Sequence, residues 1–140
     1  MEHMRSEKVI SFCVPGKPVG KERPRFDGHH AYTPKKTRDY EKTVQSYFAA
    51  SARGATLSGP VCADITVLRK IPDSYTKKQK EELANAPCET KPDCDNVAKA
   101  ILDALNGIAY KDDACVTHVV VDKRWTSNRD AVIVALYEWR

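Results

Sequence analysis

Between Lys91 and Asp113 the chain reads KPDCDNVAKAILDALNGIAYKDD, an apolar helical repeat bracketed by carboxylates. Val97, Ile101, Ala104 and Leu105 recur at helical spacing, with Ala100 and Ile108 on the same side, so a helix of about three turns starts near Asp95 or Asn96. Asn106-Gly107 closes it, because glycine takes the left-handed conformation that ends a helix. A β-branched run follows Asp112-Asp113 directly, and another, Val61 to Arg69 (VCADITVLR), stands upstream. A helix set between two such strands confines the chain to architectures in which helices pack on a sheet.

The acids at both ends of that helix are the candidate chemistry. If the entry segment is extended, Asp93 and Asp95 present both carboxylates on one face, and Cys94 turns to the other as a packing residue. Lys99 lies about one turn into the helix. Singly, such aspartates are more often caps and turn residues. Jointly, Asp93, Asp95 and the Asp112-Asp113 pair flank one helix at element ends, where crowded charge calls for a cation. All-oxygen ligation favours Mg²⁺ or Mn²⁺ over zinc. Such a cation polarises a phosphoryl oxygen and activates water, while Lys99 holds an acid or stabilises charge on the phosphate. This reading requires Asp93, Asp95 and a member of the Asp112-Asp113 pair to share one pocket.

At 140 residues the chain is expected to form one domain. No apolar run approaches a membrane span and the start has no signal-peptide core, which together place the chain in the cytoplasm. Residues 1–7 are polar and expected to fray. Five cysteines without a C-x-x-C pair argue against a disulfide framework or a zinc ribbon. The net charge of +4 is modest but uneven. Lys17, Lys21, Arg23, Arg25, Lys35, Lys36, Arg38 and Lys42 crowd one region, which implies a polyanionic partner.

In chain order, Lys8 to Val14 reads as a strand ended by Pro15-Gly16. GKPVGKERPRF is a basic loop suited to a phosphate backbone, and Phe26 and Tyr32 default to covering the core. Thr33-Pro34 predicts an N-cap and first turn for a helix to about Ala52, with Tyr40, Val44, Tyr47 and Phe48 as its buried stripe. Ser74 to Ala86 reads as a surface helical insert, with Thr76 and Gln79 at capping-box spacing. Cys115 to Trp125 and Ala131 to Trp139 read as two strands joined by a loop of hairpin length. The valine run in the first suggests burial on both faces. The expectation is a single two-layer α/β (α+β) domain, a mixed sheet with helices packed on it.

KPDCDNVAKAILDALNGIAYKDDACV resembles the core motif of the RusA family of Holliday junction resolvases, a D-x-D-N-x-x-K helix followed by a D-D pair ahead of a strand. GKPVGKERPRF and YTPKKTRDYE resemble the basic opening of many members, often prophage-encoded. The resemblance covers most of the chain apart from the 74–86 insert. It implies a magnesium-dependent, homodimeric bacterial endonuclease that nicks opposed strands of four-way DNA junctions in recombination and repair. By position, Asp93, Asp95 and Asp113 are implied as metal ligands and Lys99 as the catalytic lysine. Asp112 is less favoured and Asp103 weaker still. DNA contacts fall to Lys17, Lys21, Arg23, Arg25, Lys35 and Lys36. Some members carry a basic residue directly before the first aspartate, where this chain has Pro92. The competing readings are a non-catalytic DNA-binding protein using the basic loop, and a small-nucleotide phosphotransferase, against which stands the lack of a Gly-rich phosphate loop.

Overall fold

The structure, a computed structural model, is described over residues 8–139. The expectation for residues 1–7 lies outside the described residues. In chain order the elements are β1 (Val9–Pro15), a small hairpin of β2 (Arg25–Phe26) and β3 (Ala31–Tyr32), α1 (Lys35–Ala52), β4 (Val61–Lys70), α2 (Lys77–Leu83), α3 (Cys94–Leu105), a 3₁₀ turn (Asp113–Cys115), β5 (Val116–Thr126) and β6 (Ala131–Glu138). The four long strands form one mixed sheet in the order β1-β6-β4-β5, antiparallel except for the parallel pair β4 and β5.

Strand alternation sorts the core. Ile10, Phe12 and Val14 of β1, Val132, Val134 and Leu136 of β6, and Ala63, Ile65 and Val67 of β4 are buried on one face. Against that face α1 lays Tyr40, Val44, Phe48 and Ala52, and α3 lays Val97, Ala100, Ile101, Ala104 and Leu105. Each of the larger aliphatic side chains contributes about 1.5–3 kcal/mol by leaving water, which fixes the face α3 buries and hence the face it shows. The other sheet face is open in part, with Ser11, Cys13, Asp64, Val120 and Ile133 exposed.

The two-layer mixed α+β architecture agrees with the sequence, and several local expectations need correction. Val119 and Val120 are 43% and 59% exposed because β5 is an edge strand, so the valine run marks an open edge rather than two covered faces. Strands β5 and β6 do not pair; β4 lies between them. The connecting loop crosses the end of β4, where Asp130 accepts from the Lys70 amide at 2.7 Å and from Arg69 at 3.3 Å. Helix α3 starts at Cys94, so Asp93 alone is extended and the period-two pairing of Asp93 with Asp95 does not form. Cys94 is exposed on its first turn, not the packing residue expected. Ile108 is also exposed, lying past the Gly107 turn, whose φ is +75°. The buried stripe of α1 uses Thr37 where Tyr47 was expected, and its cap falls on Pro34. Phe26 and Tyr32 belong to the exposed β2–β3 hairpin and cover no core.

Candidate nuclease site

Helix α3 presents a polar stripe at i, i+4 spacing, Asp95, Lys99 and Asp103, opposite its buried face. Its N-terminus is tied to the sheet by backbone carbonyls: Arg69 donates to Lys91 O and Lys123 to Thr90 O. Asp93 is the N-cap residue, but its carboxylate accepts from Lys91 Nζ at 2.8 Å instead of capping the helix. That ammonium, reinforced by Lys123, holds the Asp93 carboxyl below the usual carboxylate range. Asp95 stands exposed in the first turn and reaches Lys91 electrostatically.

At the other end of α3 the field has the opposite sign. Burial and the neighbouring carboxylates of Asp103 and Asp112 push the Asp113 carboxyl up, and Lys99 pulls it back in part. Asp112 has its own structural task, accepting from the Ala114 amide at 3.2 Å to start the 3₁₀ turn. Lys99 and Asp103 stand between two clefts. One, about 230 Å³, lies toward β5 and is lined by Leu102, Asp113, Val116 and Val119 besides. The other, about 440 Å³, faces the basic loop and includes Lys21, Arg23, Thr33 and Asn96.

The acids therefore form two groups. Asp93 and Asp95 gather with Lys91 at the start of α3; Asp103 and Asp113 gather with Lys99 toward its end. Ten positions of helix from Asp93 to Asp103 span roughly 15 Å, whereas the oxygens around one Mg²⁺ each approach it to about 2.1 Å. Among the described residues, no three His, Cys, Asp or Glu side chains are close enough to hold a metal ion. The shared pocket expected for Asp93, Asp95 and Asp113 does not form within one protomer. The reason is topological: α3 runs back between two parallel strands, so its start and the start of β5 lie at opposite ends of the layer.

The basic residues divide similarly. Lys17, Arg23, Arg25, Lys35 and Lys36 are exposed. Arg25 lies 3.7 Å from Glu22, and Lys35 pairs with Asp39 at 2.7 Å. Lys21 is different: its ammonium is turned inward onto Glu41 at 2.9 Å and Asp103 at 3.3 Å. Glu41 was not singled out from the sequence, and Asn96 and Thr33 were read there only as helix starts, not as part of the site. Only the Asp95-Lys99-Asp103 spacing signalled that Asp103 would share the Lys99 face.

An acid-and-lysine helix face beside an exposed basic loop belongs to the class of proteins that handle phosphodiester backbones. Residues 15–137 match the family described as endodeoxyribonuclease RusA. The chain belongs to the RusA family, and is thus an endodeoxyribonuclease of the Holliday junction resolvase type, whose members act on branched DNA and depend on divalent metal in general. It is also similar to the uncharacterized protein YqaN of Bacillus subtilis (strain 168), 35% identical over 122 residues, which span 81% of this chain and 86% of that protein. No helix among the described residues is long and apolar enough to cross a membrane.

Proposed function

We propose that this protein resolves four-way DNA junctions by paired nicks in opposed strands, as a Mg²⁺-dependent homodimer serving recombination and repair in a bacterial cytoplasm, with Mn²⁺ as an alternative ion. The observation that carries the chemistry is the cleft that Asp113 lines with Asp103 and Lys99, where the Asp113 carboxyl is pushed up by burial and by like charge. Such crowding is relieved by a divalent cation, and its donors are the hard oxygens that Mg²⁺ takes. Asp93, Asp95 and Asp113 hold the ion. When bound, it polarises the scissile phosphate and supplies a water nucleophile at neutral pH. Lys99 stabilises the charge gathering on the phosphate oxygens. Lys17, Arg23, Arg25, Lys35 and Lys36 bind the DNA arms.

The homodimer reconciles the separated acids. Segment 85–88 caps the lower outer edge of β5, with the Asn85 and Cys88 amides donating to Trp125 O and Lys123 O. From Val116 to Asp122 no strand among the described residues pairs with that edge, which carries neither proline nor lysine to blunt it. A second copy pairing there antiparallel, about a two-fold axis normal to the sheet, keeps both helix layers on one side. It sets the start of one β5 beside the end of the other, so Asp113 of one protomer approaches Asp93 and Asp95 of its mate. Two such sites related by a two-fold axis suit a junction of approximate two-fold symmetry.

The test is incubation with a labelled synthetic four-way junction, with and without Mg²⁺, beside a linear duplex of equal length. The proposal expects symmetric nicks in the junction alone, and only with the ion. Equal cutting of the duplex, or cutting unaffected by chelation, contradicts it.

A further inference from the structure

Lys21 belongs to the basic loop by sequence but not by environment. Its side chain is only 13% exposed, and its ammonium bridges two helices, reaching Glu41 of α1 at 2.9 Å and Asp103 of α3 at 3.3 Å. Its own amide donates to Asn96 O at 2.9 Å. Just before it, Gly20 lies so close to α3 that a Cβ there would stand 3.1 Å from the Cβ atoms of both Asn96 and Pro92. Backbone, side chain and close packing thus dock this one point of the loop onto the helix that carries Asp95 and Lys99. Burial draws the Lys21 ammonium pKa down, but Glu41 and Asp103 outweigh it and leave it raised, so the bridge stays charged. A lysine with both carboxylates already on it has little left to give a phosphate. Beyond this anchor the loop opens, and Arg23 and Lys99 line the same cleft of about 440 Å³.

We propose that Lys21 is a positioning residue: by bridging Glu41 and Asp103 it straps the basic loop onto α3, so that the loop's Arg23 and the helix's Lys99 line one groove for a single DNA strand. This rests on the endonuclease reading for the identity of the strand, though not for the strap itself. Lys99 then meets the scissile phosphate in a groove whose facing wall is fixed beforehand, which is where orientation contributes to rate. The role differs from a phosphate contact in a measurable way. A phosphate contact releases counterions and sets the salt dependence of binding, whereas a strap does not.

The experiment compares Lys21→Met, Lys21→Arg, Glu41→Gln and Arg23→Ala on the full chain. Cleavage at saturating junction should fall about tenfold or more in Lys21→Met, and recover in part in Lys21→Arg. The slope of log affinity against log salt should stay at the wild-type value in Lys21→Met and flatten by about one in Arg23→Ala. Hydrogen exchange at the Lys21 amide, measured without DNA, should speed up in Lys21→Met and Glu41→Gln. A slope flattened by about one in Lys21→Met, or unchanged amide exchange in both strap variants, overturns the proposal. If wild-type protein neither bound nor cut junctions, the endonuclease reading would fall, and the exchange measurement would still decide the strap.

Discussion

Asp93 and Asp113 sit near opposite ends of one helix layer in opposite electrostatic settings. The Lys91 ammonium holds the first in its ionised form, while burial and two neighbouring carboxylates work against ionisation of the second. For Asp113 the folded-state pKa lies above the unfolded one, so its favourable contribution to folding is full below the ordinary 3.8 and is lost as the pH rises through the raised value. At neutral pH without metal, ionised Asp113 therefore opposes folding. Asp113→Asn should abolish cleavage yet melt above wild type at pH 7 in chelator, with the gap closing as the pH falls through the raised value and gone below 3.8. Thermal melts across pH check this, and a variant that melts lower at pH 7 would refute it. The acids and Lys99 were legible because D-x-D-N-x-x-K and D-D are local patterns. The inward turn of Lys21 was not, because Glu41 and Asp103 are remote along the chain and basic loops ordinarily point outward.

Elements were legible wherever periodicity was complete. Helix α3 appears with its expected buried residues save Ile108, strand β4 appears over the expected run, and the Thr76–Gln79 capping box forms in both directions, at 2.9 and 3.1 Å. Helix α2 has no buried residue, so this box is a main local device holding it. Thr76→Ala should cost the helix about 1 kcal/mol, visible as faster amide exchange at Gln79 and Lys80, while junction cleavage is unchanged. A drop in cleavage would show that α2 serves the reaction. Misreading came where one pattern has two sources. A continuous valine run marks a strand buried on both faces, or equally an edge whose cover is another chain. Likewise a short loop between strands suits a hairpin, yet Asp130 holds this one across β4 to the next position in the sheet.

Sheet order and the direction of α3 decide which side chains can meet, and neither is written in local spacing. The sequence placed the acids at element ends but not which ends meet. The structure sets the Asp93–Asp95 pair and Asp113 apart within one protomer and leaves the upper edge of β5 without a paired strand among the described residues. In the dimer proposed above, each cleavage site is completed by two copies of the chain. The direct test mixes two inactive proteins, Asp93→Asn and Asp113→Asn, allows exchange of subunits, and assays Mg²⁺-dependent nicking of a synthetic junction. A site shared between protomers predicts that each mixed dimer carries one intact set of acids and one doubly damaged set, so nicking of single strands returns. Val120→Lys placed in both chains, which sets like charges along the β5 edge, should remove that recovery. If the mixture stays inactive although mass measurement shows mixed dimers, every site draws its acids from one chain and the shared site does not exist.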